Sequence, residues 1–274
     1  MTQGPIGLFD SGVGGLSIVR EVRRLLPQED LWFVGDQGHV PYGSRSLDEV
    51  RAFSRSITQF LLSQRARMVV VACNTASAAA LQSLRQEFPE IPFVGMEPAV
   101  KPAAETSSSG VVGVLATPAT FQGALFASVV ERFATGVRVL QQTVPGLVER
   151  VEAGDLDGDE TRRLLEGAVR PLLAQGADTI VLACTHYPFV IPLLRSIVGD
   201  TVQVIDPSPA IARQVKRVLT ERAAEAGAAG RGQAVIGTTG DANRLRGWVT
   251  QVLGDFARVV PLQWKGDTLV GSGP

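Results

Sequence analysis

Short apolar runs rich in Val, Ile, Leu and Phe recur along this chain at residues 6–9, 31–34, 68–72, 91–94, 111–115, 137–140, 179–183 and 202–205. Each has the length of a buried strand and is too short for a buried helix. Between them apolar residues fall at helical spacing, most clearly at 47–64 and 160–175. Strands alternating with helices predict parallel sheets covered on both faces, because every parallel crossover needs a connecting element that packs back onto the sheet. The expected fold is α/β, with doubly wound parallel-sheet lobes. Ligands in such lobes gather at the carboxyl ends of the strands, where loops run into helix N-termini.

The pattern is also duplicated. VVVACNTAS at 69–77 and IVLACTHYP at 180–188 each end an apolar run on a cysteine, Cys73 and Cys184, and the chain has two cysteines in all. The same step of 111 residues carries Asp48-Glu49 onto Asp159-Glu160, LLSQ at 61–64 onto LLAQ at 172–175, and Pro98-Ala99 onto Pro209-Ala210. Two pseudo-symmetric lobes follow, with the active site expected in the cleft between them. Residues 1–98 form the first lobe and residues 99–209 the second. The Ala- and Gly-rich stretch 220–233 reads as a fraying helix end and loop. Beyond it, AVIGTTGDANRLRGWV reads as strand, loop and helix, and FARVVPL as a further strand, so residues 210–274 are expected to complete the first lobe's sheet. The closing GSGP is expected to be disordered.

Composition narrows the class. The length of 274 residues suffices for two buried cores, and 45% hydrophobic with 19% charged residues fits a soluble globular enzyme. The net charge is -1, and the 26 basic residues are scattered among acids, which argues against nucleic acid as a primary ligand. The N-terminus lacks the charged and apolar regions of a signal peptide, and no apolar run reaches a membrane span, so a cytoplasmic location is expected. In that compartment two distant cysteines are expected to stay free thiols.

Cys73 and Cys184 carry the chemistry most directly. A thiol just past a buried strand and at a helix entry meets unpaired backbone N–H groups that lower its pKa and suit it to act as a base. A cysteine of this size also fills a core position well, but repetition at equivalent strand ends, followed by Asn74-Thr75 and Thr185-His186, favours a functional pair. One thiol from each lobe facing one ligand is what proton transfer across a stereocentre requires. His186 is placed to assist Cys184; His39 reads as a loop residue. Metal binding is disfavoured, since no short-spaced ligand pair occurs.

FDSGVGGLSIV at 9–19 is a strand, a polar exit and a glycine-rich turn. Gly12, Gly14 and Gly15 would let the backbone approach a ligand, and the N–H groups at the helix start suit a carboxylate. The loop lacks both the phosphate-loop lysine and the dinucleotide spacing, so nucleotide binding is not expected. Asp10 is a buried-acid candidate whose alternative role is capping. VPYGSRS at 40–46 can present backbone donors to a second carboxylate. In the second lobe, Thr117 and Thr120 occupy the counterpart of the first loop. Of the two acids in VERVEAG, Glu149 is favoured for the cleft and Glu152 for a solvated face.

Taken together, FDSGVGGLS, PYGS, ACNTAS, ATPAT, LVE and ACTHYP resemble, in order and spacing, the glutamate racemases of the cofactor-independent aspartate/glutamate racemase family. The resemblance covers nearly the whole chain from Gly7 to Asp206. It implies interconversion of L- and D-glutamate without a cofactor, supply of D-glutamate for peptidoglycan, and a homodimer. Cys73 and Cys184 become the proton carriers, assisted by Asp10 and His186, with Glu149 as the second-lobe acid. Asp10, Ser11, Tyr42, Gly43, Asn74, Thr75, Thr185 and His186 fall at the substrate. The chain departs from its relatives at Thr143, where a cysteine is often found. Lys101, Lys216 and Lys265 are the chain's lysines, and none lies in a motif that would present a Schiff base to the cleft. Racemisation of aspartate or a hydantoin, or capture of a dicarboxylate without catalysis, are the competing readings.

Overall fold

The structure, a computed structural model, describes residues 4–222, 231–254 and 257–271. Strands form at all eight predicted runs: β1 (Ile6–Asp10), β2 (Leu31–Gly35), β3 (Met68–Val71), β4 (Phe93–Gly95), β5 (Val111–Ala116), β6 (Arg138–Thr143), β7 (Thr179–Ala183) and β8 (Gln203–Ile205). Three more follow, β9 (Ala234–Thr238), β10 (Ala257–Lys265) and β11 (Thr268–Gly271). The seven-stranded sheet has the order β11-β10-β9-β2-β1-β3-β4 and the four-stranded sheet the order β6-β5-β7-β8. The stretch β2-β1-β3-β4 thus repeats as β6-β5-β7-β8, which is the 111-residue duplication written in strand order. Every pairing is parallel except the β10–β11 hairpin.

Helices on both faces explain the uninterrupted apolar runs. All five residues of β1, β2 and β7 are buried, since in a doubly covered parallel sheet neither side chain of an alternating pair meets water. The Leu47–Ser63 helix starts on a capping box, with Ser46 Oγ accepting from the Glu49 N–H at 3.2 Å and the Glu49 carboxylate accepting from the Ser46 N–H at 3.1 Å. The largest apolar cluster is continuous between the sheets, from Leu16 and Phe33 to Leu115, Val151 and Leu182. Among the described residues no helix is long and apolar enough to cross a membrane. Residues 223–230 of the stretch expected as a fraying helix end and loop, and most of the terminal GSGP, lie outside the described residues. The β11 edge strand has no clear sequence signal, because its four residues are half-exposed and lack a sustained alternation.

Candidate active site

The carboxyl ends of β1, β3, β5 and β7 meet in one narrow cavity. The first lobe lines it with Ser11, Tyr42, Gly43, Cys73, Asn74 and Thr75, and the second with Thr117, Val148, Cys184, Thr185 and His186. Both thiols are free and buried.

The two cysteines sit in different local structures. Cys73 is the N-cap of the Asn74–Glu87 helix, and its Sγ accepts from the Ala76 N–H at 3.5 Å. The sequence alone suggests a depressed thiol pKa here, but the structure reverses that sign. Burial, followed by the neighbouring Asp10 charge, pushes the Cys73 thiol well above its ordinary value, and the one N–H contact does not compensate. Cys184 leads into a turn and the 3₁₀ segment Tyr187–Val190, and the Ile191–Val198 helix starts only after it. Its partner is the His186 side chain, whose Nδ1 lies 4.0 Å from Sγ.

Asp10 lies behind the cavity wall, fully buried at the end of β1. Its Oδ2 accepts from the Gly15 N–H at 2.7 Å, and Thr185 Oγ1 donates to Oδ1 at 3.2 Å. Burial raises its pKa against the opposing pull of His186, a Cys73 hydrogen bond and the loop N–H groups. The acid is therefore coupled to the first thiol and, through Thr185, to the second lobe.

The acid that reaches His186 is Glu152, which corrects the preference for Glu149. Glu152 Oε1 lies 2.7 Å from His186 Nε2 and accepts from the Val13 N–H at 2.8 Å, while Oε2 accepts from Gln37 Nε2 at 2.9 Å. The Leu147–Ala153 helix turns Glu152 inward to 9% exposure, whereas Glu149, one turn earlier, is exposed. Glu149 lines an outer recess with Pro41, Pro118 and Tyr187. Burial alone would raise the Glu152 carboxyl, but the hydrogen bond and charge of His186 outweigh it and hold the group below its ordinary value. Burial likewise opposes a charged His186, yet contacts with Cys184 and Glu152 lift the imidazole well above its ordinary value. Because an ionised carboxylate only accepts, Nε2 carries a proton and Nδ1 faces Cys184.

The glycine loop holds a protein anion. Its Val13 N–H serves Glu152 and its Gly15 N–H serves Asp10. Gly12 and Gly14 make room for the second lobe: a Cβ on Gly12 would run into the Glu152 carboxylate, and one on Gly14 would sit 2.5 Å from His186 Nδ1. The expected close approach is therefore to the neighbouring lobe's side chains.

Asn74 is 3% exposed, and its Oδ1 and Nδ2 have no hydrogen-bond partner. A buried orphan amide is costly unless a ligand completes it. Thr75, Thr117 and Thr120 form a hydroxyl cluster across the two lobes, with Oγ1 separations of 2.8 Å for Thr75–Thr117 and 2.9 Å for Thr117–Thr120. The Tyr42 hydroxyl is committed to Asp36 Oδ2 at 2.7 Å, leaving the loop backbone to face the cavity.

Asp36 and Gln37 escaped the sequence reading. Buried Asp36 also takes His39 Nδ1 at 2.9 Å, Thr239 Oγ1 at 2.7 Å and Trp264 Nε1 at 2.8 Å, tying the Tyr42 loop to β10 and the β9 exit. An acid at the end of predicted strand 31–34 is the one signal that pointed there, by analogy with Asp10 at the end of β1.

Two like lobes meeting on paired thiols define the class. The Asp/Glu/Hydantoin racemase family matches residues 16–215, and the chain belongs to it. Within that class the chain is similar over most of its length to glutamate racemases. That of Ectopseudomonas mendocina is 52% identical over 259 residues, covering 94% of this chain and 98% of the relative. Among solved structures, a glutamate racemase isoform from Bacillus anthracis superposes with a TM-score of 0.88 at 30% identity, covering 98% of this chain and all of that one. The Escherichia coli glutamate racemase, in complex with L-glutamate and the activator UDP-MurNAc-ala, gives a TM-score of 0.83 at 31% identity, covering 96% and 100%.

Proposed function

We propose that this chain interconverts L- and D-glutamate by proton transfer between two thiols, supplying D-glutamate for peptidoglycan. The observation that carries the reading is that Cys73 and Cys184, from equivalent strand ends of opposite lobes, line one cavity with different partners.

In the L-to-D direction, Cys184 enters as thiolate beside the His186 imidazolium and takes the α-proton. The electron pair left on Cα delocalises into the adjacent carboxylate, and the Cys73 thiol delivers its proton to the opposite face. D-Glutamate leaves with Cys184 as thiol and Cys73 as thiolate; exchange with solvent or the reverse reaction resets the pair. The raised position of Cys73 keeps that group a thiol at the start, and the raised position of His186 places an imidazolium beside Cys184. The two titrations belong to the pair as a whole.

Positioned acid and base groups supply about 10²- to 10⁴-fold. The rest must come from a dry site whose donors meet the developing charge on the carboxylate. Asn74, Thr75, Ser11 and Thr185 are among the polar side chains lining the cavity, and the Tyr42-Gly43 backbone serves the side-chain carboxylate. Residues 1–98 with 210–274 and residues 99–209 act as the two bodies that admit substrate. A cytoplasmic site of action fits two buried free thiols, and a homodimer is carried over with the resemblance.

Circular dichroism of L-glutamate incubated with the purified chain tests the reading. The optical signal should decay to zero with the wild type, and Cys73→Ser and Cys184→Ser should each abolish the decay while keeping the native melting transition. Full racemisation by either serine variant would rule out the two-thiol scheme.

A further inference from the structure

Gln37, on the loop that leaves β2, has no part in the chemistry described so far, yet its side chain joins the two lobes. Its Nε2 donates to Glu152 Oε2 at 2.9 Å, and its Oε1 accepts from Thr238 Oγ1 at 2.7 Å. Thr238 is itself fully buried at the end of β9, and its hydroxyl accepts from the Gly240 N–H at 2.9 Å. A carboxylate only accepts, so the amide must turn its NH₂ toward Glu152, and its oxygen is then the natural acceptor for the threonine. The orientation of Gln37 is thereby set from both ends.

We propose that Gln37 is a positioning residue for the Cys184 half of the reaction, holding the Glu152 carboxylate in the rotamer that orients His186 against Cys184. The inference rests on the two-thiol reading. Glu152 Oε1 is shared by the Val13 N–H and His186, and Gln37 fixes the second oxygen, so the carboxylate cannot rotate away from the imidazole. Two of these three groups, Val13 and Gln37, come from the first lobe, while Glu152 and His186 belong to the second. The second lobe's thiol is thus aligned by the first lobe. Cys73 does not depend on Gln37, since its partner Asp10 is held by Gly15 and, across the lobes, by Thr185.

The two enantiomers have equal free energy, so kcat/KM must change equally in both directions, and rates alone cannot locate the damage. Isotope effects can. The full-length wild type, Gln37→Leu and Gln37→Glu should be assayed with L- and D-glutamate carrying deuterium or protium at Cα. Gln37→Leu should lower kcat/KM about tenfold, the worth of roughly one hydrogen bond to a charged group. Its deuterium isotope effect on kcat/KM should rise for L-glutamate, whose proton Cys184 takes, and fall below the wild-type value for D-glutamate, because slowing the Cys184 step makes proton removal by Cys73 less rate-limiting. Gln37→Glu is isosteric, so it decides the matter if the leucine variant fails to fold. Its activity should fall further as pH rises, because only a protonated carboxyl at that position can still donate to Glu152. Isotope effects that are equal for the two enantiomers, or larger for D-glutamate, overturn the role of Gln37. So does a wild-type pH profile in Gln37→Glu. A wild type that does not racemise glutamate overturns the two-thiol reading itself.

Discussion

His186 Nε2 and Glu152 Oε1 lie 2.7 Å apart in a buried contact that fixes which imidazole nitrogen faces Cys184. Glu152→Gln removes the charge while keeping the shape. It should lower kcat/KM about 10- to 100-fold, the range of a lost charge-assisted hydrogen bond at a buried site. Its alkaline limb should shift down toward the ordinary histidine value as His186 loses its main carboxylate partner. Glu149→Gln, at an exposed position, should leave both the rate and the pH profile near wild type. Steady-state rates between pH 5 and 10 distinguish the two acids.

The same pair sets a pH window for stability. Glu152 is held below its ordinary 4.5, against burial, by His186, Gln37 and Val13, so its contribution is complete above pH 4.5 and lost as pH falls through the folded value. His186 is held above its ordinary 6.5, against burial, by Cys184 and Glu152, so its contribution is complete below pH 6.5 and lost as pH rises through the folded value. The difference in Tm between wild type and Glu152→Gln should therefore be largest between pH 4.5 and 6.5 and shrink on both sides. Calorimetry across that range would show the maximum; a difference that keeps growing above pH 8 would contradict it.

Gly14→Ala probes the close approach of the lobes. The backbone there is not left-handed, so alanine is tolerated conformationally, but its Cβ would lie 2.5 Å from His186 Nδ1 and 2.6 Å from Thr185 Oγ1. Both second-lobe side chains must move. A displacement of about 1 Å at such a site costs roughly 100-fold in rate. The expected outcome is a kcat loss of that order with a cooperative melt retained.

The sequence showed the frame of this molecule because the frame is periodic. Eight apolar runs became eight strands, and the 111-residue step became the repeated order β2-β1-β3-β4 and β6-β5-β7-β8. Cys73, Cys184, Asp10 and His186 were legible because each ends a buried strand or follows it within three residues. The choice between Glu149 and Glu152 was not, since both occupy one seven-residue helix and only its packing decides which turns inward. Gln37 was invisible for a related reason: its role depends on Glu152 and Thr238, which are 115 and 201 residues away. The sign of the Cys73 shift also escaped, because helix-terminus reasoning carries no information on how deeply the thiol is buried or that the Asp10 charge lies beside it.

The most direct measurement of the central claim follows the α-hydrogen in deuterated water. L-Glutamate incubated with the chain, without pyridoxal phosphate, is separated into enantiomers at early conversion and read by mass spectrometry. Two thiols on opposite faces predict D-glutamate carrying solvent deuterium at Cα, while the remaining L-glutamate keeps its protium. Absence of D-glutamate, or deuterium entering the unreacted L-glutamate as fast as the product, would contradict the account.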